Sequence, residues 1–130
     1  ESKNIGTVFM PDLFFMNMRE APVIALMMPA EVRLPRLIEE YAKFPHEELL
    51  KSVQKISRRL GGNKTREASD ALLTNDFESA IRIVLEYYDS SYRYGLSRRD
   101  KEQVIVIETD TDDIEINTSM VLEAAGKLLL

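Results

Sequence analysis

Two short apolar runs, Pro22 to Met28 (PVIALMM) and Gln103 to Glu108 (QVIVIE), limit what this chain can fold into more than any other feature. The first is apolar at successive positions and bounded by Pro22 and Pro29, as expected of a strand buried on both faces. The second reads as another strand. Between them lies a long stretch of helical periodicity, and that order of elements predicts an α/β fold.

After Pro29, Val32, Leu37, Ile38 and Tyr41 recur at helical spacing up to Phe44, with Pro35 implying a kink or a late start. Leu49, Leu50, Val53, Ile56 and Leu60 form one helical stripe. Gly61 and Gly62 are expected to end it by supplying left-handed conformations. Thr65 reads as the cap of a helix reaching about Leu73. Phe77, Ala80, Ile81, Val84, Leu85 and Tyr88 then predict a helix to roughly Tyr92 that packs on the sheet, with Tyr88 in the core and Tyr87 on a freer face. Ile5 to Met10 reads as a strand, or as a loop leading into a short helix from Pro11 to Arg19. A terminal helix from Asn117 to Leu130 is expected, with Asn117 as its cap. Met10, Met16, Met18, Met27 and Met28 read as core fillers.

At 130 residues, 45% hydrophobic and 30% charged, the chain has the size and composition of one globular domain. It has no cysteine, which excludes disulfides, a thiolate nucleophile and thiolate metal ligands. No stretch is long and apolar enough for a membrane span, and Glu1 to Ile5 lack the basic start and apolar core of a signal peptide. A cytoplasmic protein with no membrane partner is expected. The lone His46 has no second ligand and reads as structural or exposed, so no metal site is expected. Asp110, Asp112, Asp113 and Glu115 lack the spacing of a calcium loop and suit a helix N-terminus.

The net charge of −5 is unevenly placed. Lys51, Lys55, Arg58, Arg59, Lys64 and Arg66 occur with no acid among them, and Arg93, Arg98, Arg99 and Lys101 accompany only Asp100. These islands carry +6 and +3, so the remainder carries −14. Such islands suit phosphate groups; the alternative is solvated helix faces and loops. Arg58 and Arg59 lead, because guanidinium forks take phosphate oxygens in pairs and the following Gly61-Gly62 lets backbone approach or hinge. Tyr87, Tyr92 and their neighbours beside Arg93 and Arg98 suit stacking of an unpaired base. Asp89 suits the orientation of an arginine or a turn cap.

Three words, ESKNIG (Glu1 to Gly6), SRRLGG (Ser57 to Gly62) and EYYDSSYRYGLSRR (Glu86 to Arg99), together with MREAPVIAL and IEEYAKF, resemble the tRNA 2-selenouridine synthase family over nearly the whole chain. That resemblance implies a C-terminal fragment of an incomplete P-loop NTPase-like three-layer fold, with few parallel strands and mostly helices, spanning residues 1–130. It implies replacement of the sulfur of 2-thiouridine by selenium at the tRNA wobble position, with selenophosphate and geranyl diphosphate as substrates and no cofactor in this chain. Glu1 is expected to belong to the tail of an acidic motif. No G-x-x-x-x-G-K-[ST] occurs, so no residue here is assigned catalysis and the chain alone is expected to be inactive.

The expected phosphate-binding residues are Arg58, Arg59, Gly61, Gly62 and Arg98; those for RNA are Lys55, Lys64, Tyr87, Tyr92, Arg93 and Arg99. Expected partners are tRNA, a phosphate-containing ligand and the missing N-terminal half of the parent protein. An exposed parallel strand edge also predicts a homodimer. The alternative is a non-catalytic phosphate- or RNA-binding regulatory module.

Overall fold

Proline sets the start of three helices. In the computed structural model, which describes residues 3–128, Pro11, Pro29 and Pro45 stand at the N-cap positions of α1 (Asp12–Glu20), α2 (Ala30–Tyr41) and α3 (His46–Lys55), with φ of −55°, −55° and −59°. None has a side-chain cap. Asp12, Glu31, Glu47 and Glu48 instead place negative charge on the positive ends of these helices. Glu1, and with it the motif expected there, lies outside the described residues.

The chain divides into two compact units. Unit 1 comprises residues 1–27, 92–109 and 113–130, and unit 2 residues 28–91 and 110–112. Unit 1 opens on a hairpin of β1 (Asn4–Ile5) and β2 (Val8–Phe9), joined through Gly6 at φ 61°, as a two-residue turn requires. The segment from Ile5 to Met10, expected as a strand or a loop, therefore holds the end of β1, the turn and β2 of a small antiparallel ribbon. Next comes α1, then β3 (Val23–Met27), which pairs in parallel with β4 (Val104–Glu108), Val23 opposite Val104 and Met27 opposite Glu108. A short 3-10 turn, Lys101–Gln103, leads into β4, and α7 (Ile114–Leu128) packs against both strands.

The α/β expectation holds, mostly helical with few strands. Burial of β3 on both faces does not: its residues are half-buried or exposed, and Val106 on β4 is 57% exposed, because this sheet has only two strands. Met16 is likewise exposed rather than core, whereas Met10 is buried. Asn117 is not a cap. Asp113 Oδ1 accepts the Ile116 N–H at 3.0 Å and starts α7 three residues earlier than expected, and Asn117 is buried in its first turns.

Unit 2 is helical. The expected single stripe from Leu49 to Leu60 breaks at Ile56 (φ −98°, ψ 1°) into α3 and a one-turn α4 (Ser57–Leu60). Gly61, at φ 90°, stops α4; Gly62 is already the first residue of α5 (Gly62–Leu73) and is not left-handed. Thr65, expected as a cap, sits buried inside α5, its hydroxyl donating to the Gly61 carbonyl at 2.8 Å.

The turn into α6 (Phe77–Ser97) is built from a left-handed Asn75 (φ 60°), with Asp76 N–H bonded to the Ala71 carbonyl and Asn75 N–H to that of Leu72. That pattern is a helix stop with asparagine where glycine is usual. Asp76 then caps α6 by accepting the Ser79 N–H at 3.1 Å. Val53, Leu60, Ala68, Leu72 and Ala80 form the buried cluster, with Val84 and Tyr87 among the side chains packed on it. Hence Tyr87 is the core tyrosine and Tyr88 the exposed one, the reverse of the expectation.

α2 begins at Ala30 and runs through Pro35, so the late start is excluded. No helix is long and apolar enough to cross a membrane among the described residues.

Candidate functional site

Unit 2 sorts its cations into two groups. Arg33 donates to both carboxylate oxygens of Asp89 at 2.9 and 2.5 Å, Arg36 pairs with Asp112, Lys43 with Glu39, Lys51 with Glu47, Lys64 with Glu86, and Arg82 with Glu31 and Glu78. The remaining cations of the unit, Lys55, Arg58, Arg59 and Arg66, are exposed and make no hydrogen bond or ion pair among the described residues. They are consecutive in sequence apart from the paired Lys64, and they come from the end of α3, from α4 and from α5. No acid lies between Lys51 and Arg66, so Lys55, Arg58 and Arg59 have no carboxylate three or four residues away on their helices.

Pairing shifts the titration of the first group in the direction charge demands. The hydrogen bond from Arg82 holds the Glu31 carboxyl below its ordinary range, and Asp89 holds the Arg33 guanidinium above its own. Asp89 thus takes the first of its two expected roles, the orientation of an arginine.

The expected site residues fall in both units. Arg58, Arg59, Gly61, Gly62, Lys55, Lys64 and Tyr87 belong to unit 2, and Tyr92, Arg93, Arg98 and Arg99 to unit 1. Tyr92 and Arg93 are exposed at the end of α6, where Arg98 lies over the Tyr94 ring at 5.7 Å and donates to its hydroxyl at 3.0 Å. Arg99 is different. It is 8% exposed and donates to the carbonyls of Met18, Arg19 and Ala21, so its guanidinium closes the C-terminus of α1 instead of facing solvent. Lys64 and Tyr87 are similarly engaged, one by Glu86 and the other by the core.

A cavity of about 350 Å³ opens within unit 2. Leu37 and Tyr41 of α2, Leu49 and Ser52 of α3, Ile56, and Ile81, Leu85 and Tyr88 of α6 are among its walls. The apolar stripe of α6 supplies part of its lining. Its Ala80–Val84 side meets the buried cluster, and its Ile81–Leu85–Tyr88 side lines the cavity as well. Its α2 wall was not foreseen. His46 stacks against Phe77 at 5.6 Å, and its buried Nε2 has no hydrogen-bond partner among the described residues. No group of three or more potential ligand side chains stands ready for a metal there either.

Residues 1–49 match the family model described as tRNA 2-selenouridine synthase AAA domain. The tRNA 2-selenouridine synthase of Shewanella loihica is 30% identical, covering 76% of this chain and 34% of that protein. The chain is similar to the tRNA 2-selenouridine synthases. That of Bordetella petrii is 29% identical over 88% of this chain and 38% of its own length, and that of a Sulfurovum species 25% identical over 75% and 35%. The chain thus spans about a third of the length of the curated synthases it matches. No solved structure matches it.

Proposed function

We propose that this chain is part of a tRNA-modifying transferase and that its α4 corner meets phosphate. The observation that carries the proposal is the lack of partners among the described residues at Lys55, Arg58, Arg59 and Arg66, in a unit whose other cations are all held by carboxylates. Such cations meet a phosphate without first breaking an ion pair. Kinship with proteins named tRNA 2-selenouridine synthase supplies the substrate, tRNA. The reaction we assign to the whole enzyme is exchange of the 2-thiouridine sulfur for selenium from selenophosphate, through a geranylated intermediate.

Within it, Arg58 and Arg59 cover the phosphates, Gly61 gives the corner its bend, and Tyr92, Arg93 and Arg98 contact RNA. The apolar cavity receives the terpenyl chain, since sites for small ligands start at about 300 Å³ and are mostly apolar. Ile56, on its wall, follows Lys55 and precedes Ser57 and Arg58, which suits an apolar chain ending in a diphosphate. The phosphate loop of a P-loop NTPase-like fold comes, in this proposal, from further polypeptide of the kind the longer relatives have room for.

Filter binding of tRNA to the 130-residue chain across salt tests the proposal. Affinity falls steeply with salt, and Arg58→Ala/Arg59→Ala lowers the log–log slope by roughly 1.4 to 1.8, at about 0.7 to 0.9 per lost phosphate contact. Absence of tRNA binding at low salt sinks it. A non-catalytic RNA- or phosphate-binding module is the second reading, favoured by the lack of a phosphate-loop motif in this sequence. It predicts the same salt slope but no selenium transfer when the chain is combined with a loop-bearing domain.

A further inference from the structure

α2 holds to the rest of unit 2 in an unusual way. No α2 residue belongs to the buried cluster of Val53, Leu60, Ala68, Leu72 and Ala80. Its one buried residue is Leu34, while Leu37 and Tyr41 face the cavity. Besides the burial of Leu34, two ion pairs tie it to α6: Arg33 to Asp89 through both oxygens, and Glu31 to Arg82 at 2.6 and 2.8 Å. These two-pronged pairs cross in opposite senses, an α2 cation on an α6 anion and an α2 anion on an α6 cation. Their geometry is therefore specific to one seating of α2, while their strength depends on water and salt.

An apolar wall fixed by packing cannot move without losing its contacts, whereas one fixed by ion pairs exchanges them for hydration. We propose that α2 is a lid on the unit 2 cavity, latched to α6 by Arg33–Asp89 and Glu31–Arg82, and that its release admits the apolar part of a ligand. The inference rests on the reading of this cavity as a ligand site and adds how access to it is controlled. Pro35 lies between the latch residues and the two cavity residues of α2, where the helix lacks one backbone hydrogen bond.

The absence of cysteine gives a direct test. In the full chain, Leu85→Cys places one thiol on the cavity wall and Ala68→Cys one in the buried cluster, where the native residue is 0% exposed. The probe is the rate of thiol labelling by dithionitrobenzoate. Adding Arg33→Gln/Arg82→Gln accelerates labelling of the Leu85→Cys protein by about tenfold or more, as loss of two charge-assisted pairs warrants, and leaves the Ala68→Cys rate unchanged. Exchanging the charges of one pair, Arg33→Asp/Asp89→Arg, keeps labelling slow.

Equal acceleration at both thiols, or none at either, overturns the lid. The labelling contains no RNA, so a lid that behaves as expected beside a chain that binds no tRNA separates this inference from the functional proposal.

Discussion

Unit 2 buries an apolar cluster of its own, built from helices that follow one another in sequence. Unit 1 keeps much of its apolar surface in water: Ile5, Phe9, Leu13, Phe14, Val106 and Ile116 are all exposed. What joins its distant segments is largely polar, with Arg99 on the carbonyls of Met18, Arg19 and Ala21 at the end of α1, Gln103 on that of Glu20 and the Thr109 N–H on that of Met27. The difference teaches that the two units rely on different forces. One depends on burial, the other on backbone-directed hydrogen bonds and a two-stranded parallel pairing.

The sharpest break in that comparison comes from truncating one side chain in each unit. Leu72→Ala should cost about 2–5 kcal/mol, while Val106→Ala should fall within about 0.5 kcal/mol, measured by urea unfolding. Equal losses would erase the contrast. Arg99→Ala comes next, at about 2 kcal/mol, because it leaves the carbonyls of Met18, Arg19 and Ala21 without a charged donor. Hydrogen exchange should show the loss in α1 first, and Arg59→Ala, at an unpaired exposed site, should show none.

Gly61→Ala should cost about 1 kcal/mol, since a φ of 90° strains any L side chain even though no atom lies within 4 Å of an added Cβ. Gly62→Ala, one residue on and inside α5, should stabilise by a few tenths of a kcal/mol.

The smallest effect is one of pH. Glu31 titrates below its ordinary 4.5 in the folded chain because Arg82 donates to it. Its contribution is complete above the unfolded value and disappears as pH falls through the lower, folded one. The rate of labelling in the Leu85→Cys protein by dithiodipyridine, which still reacts with thiols in acid, divided by that of free cysteine at the same pH, should therefore rise below about pH 4.5, and Glu31→Gln should remove that rise.

Periodicity made the helices and both β3 and β4 legible, since each is a continuous apolar run or stripe. Boundaries that depend on a single hydrogen bond were not legible. Asp113 outcompetes Asn117 as a cap, and Asp76 serves α6 where no cap was assigned. The break at Ile56 leaves the apolar spacing intact, so no pattern reveals it. At the candidate site, the acid-free island from Lys51 to Arg66 was legible as a run of charge, and it holds the four cations of the unit without a partner among the described residues, but its Lys51 and Lys64 are paired with Glu47 and Glu86 from outside it. The inward use of Arg99 depends on residues about 80 positions earlier, and no local reading reaches that far. The cavity was hidden for the same reason, as α2 forms one wall and α6 another.

Pro35 gives α2 a mechanical property beyond its shape. Having no N–H, it leaves the Glu31 carbonyl without its usual helical donor. The first turns of the rod and its last turns are thus coupled by a thinned spine. Bending there requires little torque, so the flap can flex at mid-length while either end stays seated.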